Sequence, residues 1–152
     1  NPVGSLGDLN KCHELTHASF IGASCTNLSV FKPLTKIQSV ALSNCSLSDI
    51  AQVLDMSSLR SVKLYDCNLS GNFFKAFDRE RAITELELVR CTVDSTNGLS
   101  DFTGLTILRL TGTRGVSDWS ELDSLTALKT VYIDSGLSDS FTGEHQFELV
   151  KE

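Results

Sequence analysis

Apolar residues recur along this chain at two alternating spacings. In the stretch L-R-S-V-K-L-Y-D-C-N-L, Leu59, Val62, Leu64, Cys67 and Leu69 occupy a frame that can be written L-x-x-L-x-L-x-x-C-x-L. Ile37, Val40, Leu42, Cys45 and Leu47 fill the same slots 22 residues earlier, and Ile83, Leu86, Leu88, Cys91 and Val93 fill them 24 residues later. Leu105, Leu108 and Leu110 continue the series with Thr113 in the cysteine slot, then Leu128, Val131 and Ile133 with Gly136 there. Leu15, Ala18 and Phe20 make a weaker first copy, with Ala23 in that slot. Six units therefore start near residues 15, 37, 59, 83, 105 and 128 and span one repeat domain over 1–152. A fixed period of this length marks a repeat architecture.

Within each unit the alternation of the first half predicts a strand, since every second residue then shares a face. Strands are expected near 17–21, 39–43, 61–65, 85–89, 107–111 and 130–134. The second half steps by three: Leu28, Phe31, Leu34; Leu99, Phe102, Leu105; Val116, Trp119, Leu122, Leu125. That step suits 3₁₀ turns or short helices, whose side chains at i and i+3 align. Strand and turn copied in succession predict a coil with strands inside and turns outside, each unit burying its apolar edge on its neighbours. Between Leu69 and Ile83 the extra residues carry Phe73, Phe74 and Phe77 at helical spacing, which predicts about two helical turns with the rings in the core. Leu6, Leu9 and Cys12 read as the second half of a unit whose strand is absent, and a seventh strand is expected to begin near Val150. Neither end shows an obvious cap, as in a slice of a longer array or a chain with minimal caps.

The five filled slots resemble the leucine-rich repeat. The short period resembles the class of about 22 residues found in bacterial internalins and in a regulatory subunit of protein phosphatase, and Leu47-Ser48-Asp49-Ile50 and Val116-Ser117-Asp118-Trp119 look like that class's turn. Cysteine in the slot where asparagine is usual departs from it and resembles cysteine-bearing arrays such as those of trypanosomatid parasites. The resemblance implies an α/β solenoid: a right-handed coil with one curved parallel sheet on the concave side and 3₁₀, short helical or extended segments on the convex side. It also implies a protein-interaction module rather than an enzyme.

Composition narrows the function classes. With 41% hydrophobic residues in 152, the chain has enough apolar material for a globular core. No apolar run approaches the roughly 20 residues that span a bilayer. A net charge of −6 without a basic cluster argues against nucleic acid. Asn1–Asn10 has no signal-peptide character, and the first residue is not Met, so the natural N-terminus is expected to lie upstream or to have been removed. Five cysteines in no paired spacing favour a reducing, intracellular compartment, with Cys45, Cys67 and Cys91 buried and unpaired. The sequons at Asn27, Asn44 and Asn68 leave an extracellular one open.

One motif looks catalytic. His13-Glu14-Leu15-Thr16-His17 spells H-E-x-x-H, a zinc signature that needs a helix to bring both imidazoles to one ion. Leu15 opens a repeat here, and in extended chain the two histidines stand roughly 13 Å apart. A zinc hydrolase is therefore the remote alternative, and no metal or other cofactor is expected. Function is expected on the outward strand positions, which form three columns: His17, Ser39, Ser61, Glu85, Ile107, Thr130; Ser19, Ala41, Lys63, Glu87, Arg109, Tyr132; and Ile21, Ser43, Tyr65, Val89, Thr111, Asp134. Tyrosine and arginine anchor interfaces. Lys63, Tyr65, Glu87, Val89, Arg90, Arg109 and Tyr132 are thus the candidate contacts for a polypeptide partner. Two readings compete with this: a structural segment of a longer solenoid, or charges on successive strands that merely neutralise one another.

Overall fold

The structure is a computed structural model, and it describes residues 11–20, 33–44, 57–69, 73–77 and 83–152. Seven strands build one parallel sheet in chain order: β1 (His17–Phe20), β2 (Ser39–Ser43), β3 (Ser61–Tyr65), β5 (Glu85–Val89), β7 (Ile107–Arg109), β8 (Thr130–Ile133) and β9 (Glu148–Lys151). Two short strands, β4 (Asn68–Leu69) and β6 (Thr92–Val93), pair in a second parallel ladder beside it. The main register matches the repeat frame, with Ser39 beside Ser61, Ser61 beside Glu85, Glu85 beside Ile107 and Ile107 beside Thr130. Val40, Leu42, Val62, Leu64, Leu86, Leu88, Leu108, Val131 and Ile133 all point inward and are buried. The period-two alternation thus becomes one continuous core.

The described three-step segments, from Leu99 and from Trp119, form the outer side through i to i+3 turns, while Leu28 and Phe31 of the first lie outside the described residues. Phe102 N–H donates to the Leu99 carbonyl and Leu105 N–H to the Phe102 carbonyl; Leu122, Leu125 and Leu128 donate in the same way to Trp119, Leu122 and Leu125. Each bond puts the next apolar side chain over the last, so these residues are buried in a column. Gly98, at φ +94, lets the Leu99–Asp101 turn pass so close to the preceding unit that a Cβ there would lie 2.8 Å from the Lys75 backbone nitrogen. Phe73 and Phe74 are core as expected, meeting edge to face at 5.1 Å, with Phe102 6.1 Å from Phe74. Only a single 3₁₀ turn, Phe74–Phe77, is formed in the described part of that stretch; residues 78–82 lie outside it.

At Cys67, Cys91 and Thr113 the cysteine slot holds a small hydrogen-bond donor, whereas Gly136 has no side chain to donate. Thr113 Oγ1 donates to the Leu88 carbonyl at 2.9 Å, Cys91 Sγ to the Leu64 carbonyl at 3.4 Å, and Cys67 Sγ reaches the Leu42 carbonyl at 4.0 Å. Each slot side chain thereby ties its unit to a strand of the unit before. Cys67 and Cys91 are buried and free of disulfide, and contact with the Cys67 thiol together with burial pushes the Cys91 thiol far above the ordinary range. Cys45 falls outside the described residues, as do Asn27 and the Leu47–Ile50 turn. Just before the slot, Asn44, Asp66, Arg90 and Gly112 all take left-handed backbone, at φ 55, 54, 53 and 68. That column turns the chain out of the sheet.

The last unit departs from the expected period. Thr130 pairs with Glu148, 18 residues on, so β9 starts before Val150. The 3₁₀ turn Ser135–Ser140 directly follows β8 and takes the place of both a corner strand and a full three-step segment. Behind it the rings of Trp119, Phe141, His145 and Phe147 follow one another with neighbouring centroids 6.3, 5.9 and 4.8 Å apart, the first and last pairs stacked and Phe141 meeting His145 edge to face. His145 Nδ1 lies 2.9 Å from Asp123 Oδ1.

Candidate partner-binding face

Because the inward residues are fully committed to the core, the open face of the sheet carries the odd-numbered positions of β3, β5 and β7 and the even-numbered ones of β8. Lys63, Tyr65, Glu87, Val89, Arg109 and Tyr132 all lie on it, half-buried by their neighbours. Apart from Val89, they form two clusters. In the first, Lys63 Nζ bridges Glu85 at 3.1 Å and Glu87 at 3.2 Å, Ser61 donates to Glu85 at 2.7 Å, and the Tyr65 hydroxyl donates to Glu87 at 3.2 Å. Burial works against both charges. The hydrogen bonds outweigh it, leaving the Lys63 ammonium above and the Glu85 carboxyl below their ordinary ranges. Burial and the Glu87 carboxylate raise the Tyr65 phenol, which therefore stays a donor at neutral pH.

In the second cluster the Arg109 guanidinium lies over the Tyr132 ring, 4.1 Å from its centroid, and donates to Glu152. Thr111 donates to the same carboxylate at 3.1 Å. The hydrogen bond to Glu152 holds Arg109 above its ordinary pKa against the opposing effect of burial. The clusters meet at β7, where Ile107 stands in register between Glu85 and Thr130. At 38% exposure Ile107 is the one exposed large hydrophobic among the described residues.

The sequence placed these residues on one face but missed several of their relations. Glu152 was not among the candidates, since it follows the seventh strand in a unit shorter than the frame predicts. Ile107 belongs to an outward column, and an aliphatic residue at an outward strand position is a signal legible without a structure. Arg90 belongs to the turn after β5, and its guanidinium forks onto Asp66, with both bonds at 2.7 Å. Ser43, expected to face outward, is buried beside Tyr65 in register, its hydroxyl 3.5 Å from the Phe20 carbonyl. The Asp134 carboxylate turns to the backbone amides of Gly112 and Gly136. Ile21 lies outside the described residues.

The zinc motif does not form the helix its chemistry requires. His13 sits in a turn and His17 opens β1, while Glu14 pairs with Lys36 at 2.7 Å. Among the described residues no group of three His, Cys, Asp or Glu side chains is placed to hold a metal ion, and no helix is long and apolar enough to cross a membrane.

No family model and no curated protein matches the chain. Solved structures do. An internalin from Listeria monocytogenes (InlF) superposes with a TM-score of 0.70 over 96% of this chain at 16% identity, and internalin C2 from the same organism with 0.73 over 97% at 18%. The chain spans 39% and 66% of those two proteins. At such identity the likeness concerns backbone architecture alone, and it agrees with the parallel sheet, the frame and the three-step turns: this chain has the leucine-rich repeat fold.

Proposed function

We propose that the open face of the sheet, over units three to six, docks a polypeptide partner, so that the chain serves as a protein-interaction module. The observation that carries this reading is the exposed Ile107 on the same open face as the Arg109–Tyr132 pair on β7 and β8, with Tyr65 two strands away on β3. Solenoids present such surfaces to extended or folded protein segments. Aromatic and guanidinium groups already held by neighbours lose little side-chain freedom on docking, which favours them as anchors. Lys63, Glu87 and Val89 complete the surface, and Arg90 stands at its rim.

The test uses immobilised protein to capture its partner from an extract, with the Tyr65→Ala/Arg109→Ala double variant and Ile107→Glu beside the wild type. Truncating a central anchor typically costs ~2 kcal/mol or more, about a thirtyfold loss of affinity. Circular dichroism and melting should stay close to wild type, because these side chains point away from the core. Binding unchanged in both variants, with folding intact, would remove the partner from this face. Loss of folding would make the Lys63–Glu87–Arg109 ladder structural instead.

A further inference from the structure

The corner ladder formed by β4 and β6 gains one more rung at Arg114, which bridges Thr92 in parallel. Val93 N–H donates to the Arg114 carbonyl at 2.8 Å, and Arg114 N–H donates to the Cys91 carbonyl at 2.9 Å. In a parallel ladder the groups of one residue face one neighbour and those of the flanking residues face the other. The Thr113 carbonyl and the Gly115 amide therefore face away from β6, and neither has a hydrogen-bond partner among the described residues.

One repeat later the next rung would come from the chain around Leu137. There the backbone instead coils into the Ser135–Ser140 turn, because the Asp134 carboxylate caps Gly136 and reaches back to Gly112. The ladder ends with an open edge. Between that edge and the turn lies a groove of about 600 Å³, bounded by Gly112–Ser117 on one side and by Asp134–Leu137 and Ser140 on the other. Its walls are largely glycine and serine, with half-buried Val116 and buried Leu137 as apolar floor.

We propose that this groove is a second binding site, which takes an extended polypeptide segment as an added parallel strand. One residue of that segment would donate its N–H to the Thr113 carbonyl and accept from the Gly115 N–H. Main-chain pairing supplies the affinity of strand addition and side-chain pockets its selectivity. Walls this small admit a short apolar side chain such as valine over Val116 and Leu137. The site is separate from the open face of the main sheet and does not depend on it.

The experiment follows backbone amides by NMR in ¹⁵N-labelled protein, titrated with acetyl-Thr-Val-Thr-amide and with the same peptide N-methylated at valine. In free protein the Gly115 amide should exchange with solvent unprotected. Peptide at millimolar concentration should shift the Gly115 and Gly136 resonances saturably and slow Gly115 exchange. N-methylation should weaken binding at least about tenfold. Ser117→Trp, at an exposed position, should abolish the response while leaving the main-sheet resonances in place. Protection of Gly115 in free protein, absence of any shift, or equal binding of the N-methylated peptide would each overturn the proposal. Shifts that grow with protein concentration alone would overturn it in favour of a second copy of the chain.

Discussion

The repeat slot gives the sharpest test of how these units hold together. Thr113→Val keeps the shape of a buried side chain, 4% exposed, and removes only the hydroxyl that donates to the Leu88 carbonyl at 2.9 Å. A net intramolecular hydrogen bond is worth about 0.5–1.5 kcal/mol, and a buried acceptor left without its partner costs about 1–3 kcal/mol. The added methyl returns up to about 0.8 kcal/mol of apolar burial. The balance is a loss of about 1–2 kcal/mol, or a fall in melting temperature of about 2–8 °C for a chain of this size. Thr113→Cys should cost less, since Cys91 already makes the equivalent bond one unit earlier at 3.4 Å. The assay is urea unfolding followed by circular dichroism, read as a shifted midpoint at unchanged slope. A valine variant as stable as wild type, or more so, would refute the idea that the slot selects a donor. It would leave size as its only requirement.

Gly115→Ala should destabilise by about 2 kcal/mol or more, because φ is +101 and a Cβ would lie 2.4 Å from the Val93 carbonyl oxygen; a melting temperature within a degree of wild type would contradict this. Ellman's reagent should modify exposed Cys12 quickly and buried Cys67 and Cys91 only as the protein opens, so equal rates by mass spectrometry would place those thiols at the surface. Glu85 has a lowered pKa, so its stabilisation is complete above the unfolded value of about 4.3 and is lost as pH falls through the folded value. Lys63→Met should therefore shrink the drop in melting temperature between neutral and acid pH; an unchanged drop would show that the pair contributes nothing to acid stability. Lys63 itself is raised, so its contribution is full below about 10.4 and disappears as pH climbs through its folded value.

Much of the fold was legible in residue order because its determinants are local. Alternation at Val62 and Leu64 and the three-residue step at Trp119, Leu122 and Leu125 each select one backbone geometry, and recurrence of the same frame in each unit sets parallel register between neighbouring strands. Relations between units were not legible in that way. That Thr113 and Cys91 donate to strand carbonyls of the preceding unit, or that left-handed turns recur at Asn44, Asp66, Arg90 and Gly112, follows from how stacked units close on each other. The clearest case is the last unit. Its 18-residue spacing brings β9 alongside β8 early, and only then can Glu152 reach over Tyr132 to Arg109. Apolar periodicity says which side chains leave water. Which polar groups meet afterwards depends on the lateral distance between successive turns of the coil, and only the folded chain sets that distance.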